Sequence, residues 1–192
     1  MKMRSMLAAL LLMPALAMAD TAMLKPGDAL PAFSLNDQHD KPMPIGANTR
    51  LVLFTADKSA GDMLNGLLNE RPGDFMEQRR IVYIADISRM PGLISSLIAL
   101  PRMRDYAYRM AIGEEEEQTA MLPRAEDSVT VVTLEAGKIK AMQPFKETEA
   151  QALAALLDAA PVGEVATPAP AGERKASRLV PHSVSDMVPG GK

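Results

Sequence analysis

No cysteine occurs anywhere in the 192 residues. Without a thiolate the chain cannot exchange disulfides, reduce peroxide through a sulfenic acid or hold a metal on thiolate sulfur, and no disulfide can brace its fold. Histidine is almost absent too, with His39 in a polar turn and His182 close to the end. A nucleophilic serine normally needs an imidazole as its base, and a metal centre needs clustered His, Cys, Asp or Glu, so both chemistries lack their usual parts. Positive charge is not in excess: the formal net charge is −3. That leaves no electrostatic footprint for nucleic acid or an anionic membrane. Long apolar runs are missing after residue 19, so no later segment reaches the roughly 18 apolar residues of a membrane span. No G-x-G-x-x-G follows a strand-like run, so the sequence implies no flavin or nucleotide, and no cofactor is expected.

The one apolar run, Leu7 to Met18, follows Lys2 and Arg4 and ends in Ala17-Met18-Ala19. A short basic start, about a dozen apolar residues and an A-x-A site form a Sec-type signal peptide, with cleavage expected after Ala19. The expectation is therefore a periplasmic or secreted protein whose residues 1–19 are removed, leaving 19 basic against 24 acidic residues. Residues 20–160 are long enough for one buried core. From 161 onward Pro, Ala, Gly, Ser and charge replace any apolar periodicity, and residues 161–192 read as a disordered tail. Within it, Arg178-Leu179-Val180-Pro181-His182 admits a linker or docking reading, but the favoured reading is a plain solvated tail.

Periodicity outlines the domain. Leu51 to Thr55 and Ile81 to Asp86 are apolar runs suited to parallel strands buried on both faces. Val129 to Leu134 and Lys138 to Met142, joined through Gly137, form a hairpin. Ala32 to Leu35 and Met43 to Ile45 flank a polar turn and suggest an N-terminal hairpin, and Tyr106 to Ile112 is a further short strand. A helix is expected from Asp62 to Asn69. Met90, Leu93, Ile94, Leu97 and Ile98 predict a second one, with that stripe buried and Pro101 closing it. Thr148 and Gln151 predict a capping box for a last helix ending near Ala159. This order implies an α/β fold, a central mixed sheet with helices on both faces.

Several short phrases carry a resemblance. Gly27-Asp28 with Pro31, Phe33 and Leu35 follows a G-D-x-x-P-x-F-x-L pattern, and Asp37 to Lys41 looks like a D-x-x-G-K turn with Asp40 at the glycine position. Phe54-Thr55-Ala56-Asp57-Lys58-Ser59 lies over F-W-A-x-W-C, and Gly137-Lys138-Ile139 over G-x-I. In this order they resemble the redoxin branch of the thioredoxin-like superfamily, the peroxiredoxins and periplasmic thioredoxin-like proteins, and most of all its small cysteine-free periplasmic members. The resemblance covers roughly residues 24–159. It implies a thioredoxin-like fold in which Ser59 and Asp62 stand at the two cysteine positions and Ser128-Val129 where a cis-proline would line the peptide groove.

The expected function is accordingly that of an exported, non-catalytic module binding a protein or peptide of the cell envelope, with no thiol oxidoreductase or peroxidase activity of its own. The expected surface is the degenerate loop Thr55, Asp57, Lys58, Ser59 and Asp62 with Ser128 and Val129. Ser59 or Asp62 is expected to cap the helix that follows. The alternatives are an enzyme of a non-thiol class using Ser59, Lys58 or Asp62, and a structural subunit of an envelope complex. Arg102, Arg104, Tyr106 and Tyr108, of types favoured at interface centres, form a second candidate contact. Glu114 to Glu117 reads as a solvated loop, and the scattered methionines as core filler.

Overall fold

The computed structural model describes residues 22–163; the expected signal peptide and residues 164–192 of the expected tail lie outside the described residues. Its strands are β1 (Phe33–Asp37), β2 (Pro42–Ile45), β3 (Leu51–Thr55), β4 (Ile81–Asp86), β5 (Ala111–Gly113), β6 (Ser128–Glu135) and β7 (Lys138–Lys146). They form one sheet in the order β2-β1-β5-β4-β3-β6-β7. β3, β4 and β5 run parallel, β6 pairs antiparallel with β3, and hairpins close both edges. Alternation along the central strands explains their uniformly apolar sequence. Leu51 and Leu53 of β3 with Ile81, Tyr83 and Ala85 of β4 enter one core, while Val52, Phe54, Val82 and Ile84 enter the other.

The first core lies under α1 (Lys58–Asn69), α2 (Phe75–Arg79) and α6 (Ala150–Ala159). Ala60, Leu64 and Leu68 of α1 and Leu153 and Leu157 of α6 recur one turn apart and are buried. Each such leucine contributes about 1.5–3 kcal/mol of burial. The second core is covered by Leu24 and Leu30 and by Met121 and Leu122, which follow the short helix α5 (Glu116–Thr119). The stretch before β1 also shields the outer edge of β7: Gly27 N–H donates to Ile139 O at 2.8 Å, and Ile139 N–H to Asp28 O at 2.9 Å. At the β6–β7 turn Ala136 and Gly137 both take positive φ, 51° and 76°, the handedness a two-residue hairpin requires. The chain after α6 is tied down, Gly163 N–H donating to Gln78 O at 2.7 Å.

Four local expectations change. α1 begins at Lys58, one residue after Asp57, whose carboxylate accepts from Ala60 N–H; the cap is Asp57, not Ser59 or Asp62. The supposed strand from Tyr106 shrinks to Ala111–Gly113, because Arg104 and Arg109 hold the preceding chain to the β1–β2 turn through Gln38 O and Asp37. The capping box at Thr148 is replaced by Lys146 N–H donating to the Glu149 carboxylate, ahead of a 3-10 turn. The largest change concerns the second helix. α3 (Gly92–Ile94), a π-helical turn (Ser95–Ala99) and α4 (Leu100–Arg104) follow without a break, so Pro101 lies inside the helix and not at its end. Proline has no N–H and its ring collides with the carbonyl four residues back, and the wider turn, with Leu100 N–H donating to Ser95 O, admits it. The expected buried stripe is turned outward: Leu93 is 76 %, Leu97 71 %, Ile98 53 % and Ile94 46 % exposed.

Candidate functional site

Because β3 and β4 are parallel and β6 is antiparallel to β3, the ends of β3 and β4 and the start of β6 converge on one end of the sheet. The loops leaving them frame a groove of about 920 Å³. Thr55, Tyr83 and Ala85 belong to its lining, as do Met90, Ile94 and Ile98 of the outward-turned helical segment. On the opposite side stand Asp57, Asp62, Glu126 and Asp127. Among the described residues no histidine lines the groove.

Asp57 organises this acidic side. Its Oδ1 accepts from Ala60 N–H at 2.9 Å and from the Ser59 hydroxyl at 2.9 Å, and its Oδ2 accepts from Asp127 N–H at 3.0 Å. Asp127, held at φ 49°, brings its own carboxylate to the same Ser59 hydroxyl, at 2.5 Å. One hydroxyl carries one proton and serves one carboxylate at a time, so the second contact sets oxygen lone pairs against each other. A cation or a further donor would relieve it. Ser59 thus has two carboxylates and, among the described residues, no imidazole, the base that a nucleophilic serine normally uses. Lys58 and Asp62 form an exposed ion pair one helical turn apart.

Beneath lies a polar cluster that sequence reasoning missed. Asp86, ending β4, has a side chain 2 % exposed and accepts from Arg124 Nη2 at 2.6 Å, the Thr119 hydroxyl at 2.5 Å, and both Ser88 N–H and the Ser88 hydroxyl. Burial by itself would raise the Asp86 carboxyl; the Ser88 and Thr119 hydrogen bonds and the Arg124 charge outweigh it and hold Asp86 below its ordinary 3.8. Arg124 also donates to Glu116 O and lies 5.9 Å from the Phe54 ring centroid. The only sequence signal was a carboxylate terminating an otherwise apolar strand. Asp37, similarly buried, accepts from Lys41 N–H, Arg109 Nε and His39 N–H, which together outweigh burial and depress it as well.

The remaining expected residues divide. The Thr55 hydroxyl meets the Tyr83 hydroxyl at 3.2 Å, and burial pushes the Tyr83 phenol up, so it stays neutral there. Ser128 is buried and donates to Glu126 O, while Val129 is wholly buried in the first core; neither lines the groove. Arg102 and Tyr106 do line it. Arg104 is engaged by Gln38 O and Asp40. Tyr108 is 3 % exposed, stacked on Tyr106 at 5.2 Å and bonded to Asn65 Oδ1, so it is a core residue unable to meet a partner. Among the described residues no group of three His, Cys, Asp or Glu is placed to hold a metal ion, and no helix is long and apolar enough to cross a membrane.

No family model matches the chain, and no curated protein does. Solved structures similar to it include a putative thiol:disulfide interchange protein DsbE from Chlorobium tepidum, 14 % identical over 71 % of this chain and 98 % of that one, with a TM-score of 0.49. The peroxidoxin BcpB from Mycobacterium tuberculosis is 13 % identical over 71 % and 97 %, with a TM-score of 0.48. A SCO1/SenC family lipoprotein from Bacillus anthracis str. Ames is 11 % identical over 72 % and 99 %, with a TM-score of 0.46. The strand order and directions β4-β3-β6-β7, with α1 after β3, α6 after the β6–β7 hairpin and an added N-terminal hairpin, make this a thioredoxin-like fold that contains no cysteine.

Proposed function

We propose that the protein is an exported binding module that takes an extended polypeptide segment bearing apolar side chains into the groove at the end of its sheet, without redox turnover. One observation carries this reading: Leu93, Ile94, Leu97 and Ile98, at helical spacing, stand in solvent beside a groove they partly line. Four large aliphatic side chains grouped on one element are a larger unburied apolar surface than scattered single exposures, and such patches mark contact sites. The groove adds carboxylate acceptors on its far side, so a chain laid along it meets apolar contact on one flank and hydrogen bonding on the other. The leader expected before Asp20 supplies the location, the periplasm or the outside of the cell, where the partner is an envelope protein or peptide. An enzyme built on Ser59 would have to do without the imidazole that such a serine normally uses, and a purely structural subunit would not require the groove.

The test is a peptide array probed with the intact chain and with an Ile94→Ser/Ile98→Ser variant. Retention of apolar extended peptides by the parent, reduced at least tenfold in the variant, is the expected result. Equal retention by both, or retention by neither, would remove the reading. Insulin reduction or peroxide consumption by the purified chain would overturn its non-redox character.

A further inference from the structure

The groove has a chemical asymmetry that narrows its occupant. Lys58 pairs with Asp62, Arg124 with Asp86 and Arg89 with Glu116, so among the described residues the lining sets a lip of three carboxylates, Asp57, Glu126 and Asp127, against one further cation, Arg102. Two of the carboxylates converge on a hydroxyl able to satisfy only one. Across the groove stand Met90, Ile94 and Ile98. The complementary ligand is a short extended segment in which basic side chains directly precede aliphatic ones.

This chain contains such a segment outside the described residues. Arg174, Lys175 and Arg178 precede Leu179-Val180-Pro181. Residues 164–192 carry four basic and three acidic residues, whereas residues 22–163 carry 15 basic and 20 acidic ones, so the two parts attract. The described chain ends at Gly163, bonded to Gln78 O beside the start of β4, at the end of the sheet opposite the groove. Six residues of β4 span about 20 Å. The stretch from Gly163 to Leu179 has a contour reach of roughly 50 Å, more than the distance to be covered. Tethering at such a span gives an effective concentration of about a millimolar, enough for a weak segment to fill the site.

We propose that residues 174–181 of this chain occupy its own groove, the arginines and lysine on the Asp57–Glu126–Asp127 lip and Leu179 and Val180 against Ile94 and Ile98. This rests on the groove being a polypeptide site, and it adds regulation: an external segment binds only by displacing the tail.

Absence of native cysteine makes the test direct. In the intact chain, Ile98→Cys is combined with Leu179→Cys, and as a control Lys140→Cys, on the β6–β7 hairpin, with Leu179→Cys. Mild oxidation is expected to join the introduced thiols at positions 98 and 179 within one chain at least tenfold faster than the control pair, at a rate independent of protein concentration. Arg174→Glu with Arg178→Glu is expected to slow that closure several-fold. Equal rates for both pairs would overturn the proposal, and peptide retention on the array, measured separately, would show whether the groove reading survives. A disulfide-linked dimer as the main product would also overturn it, placing a second copy's tail in the groove. Unchanged closure after the charge reversal would refute the role of the carboxylate lip.

Discussion

Replacing Arg124 with methionine isolates the consequence of burying Asp86. The substitution keeps the aliphatic stem against Phe54 while removing the charge from a carboxylate whose side chain is 2 % exposed. Breaking a buried ion pair from one side costs about 3–5 kcal/mol, because the remaining charge is left without its partner. Arg124 is itself 17 % exposed, and Thr119 and Ser88 still donate to Asp86, so about 3 kcal/mol is expected. Asp86→Asn retains acceptor capacity and leaves an arginine that can turn into the groove, so about 1–2 kcal/mol is expected there. The double variant should cost less than the two singles added, by about 1–3 kcal/mol. Urea denaturation at pH 7 measures all three; with a slope of about 2 kcal/mol/M the Arg124→Met midpoint falls by roughly 1.5 M. The Arg124→Met deficit should also shrink as the pH is lowered, since protonation of Asp86 removes the uncompensated charge. A deficit below about 1 kcal/mol at neutral pH, or a double variant worse than the sum, would refute the account.

Other consequences are equally specific. Asp57→Ala removes the α1 cap and the Asp127 N–H acceptor together and should cost about 2 kcal/mol, against under about 1 kcal/mol for Ser59→Ala, by the same denaturation assay; the reverse order would deny Asp57 its organising place. Leu97→Ser should change stability by less than about 0.5 kcal/mol yet weaken peptide retention, whereas a core-sized loss would mean that the side chain is buried. Gly113→Ala should cost about 1–3 kcal/mol by overpacking. An added Cβ there would sit 2.7 Å from Thr119 Cγ2, and Thr119 is held by its bond to Asp86; a thermal midpoint unchanged from the parent would count against this. Asp37 and Asp86 both have depressed carboxyls, so the stability they supply is complete above the unfolded value near 3.9 and lost as pH falls through their folded values. The urea midpoint should therefore fall below about pH 4, and a rise in that range would contradict the assignment.

The sheet was largely legible in the sequence because it is written in local signals. The continuous apolar runs of β3 and β4, the Gly137 turn and the spacing of Leu64 and Leu68 are each readable within a dozen residues. The redox-loop alignment likewise drew attention to Asp57, Lys58 and Asp62, which the fold sets along one groove. Val129 and Tyr108 were misassigned because residue type does not reveal which strand or ring will cover them.

What the sequence determined by itself is the main strands with the first and last helices, the absence of thiol chemistry and the basic-then-aliphatic character of residues 174–181. What only the tertiary structure decided is burial. The apolar stripe from Leu93 to Ile98 satisfies every helical rule and still stands in water, because periodicity fixes which side chains share a face and says nothing of whether another element packs on it. Asp86 and Arg124, 38 residues apart, meet because the parallel β4 and the turn before β6 end at the same place, a distance over which no local pattern carries information.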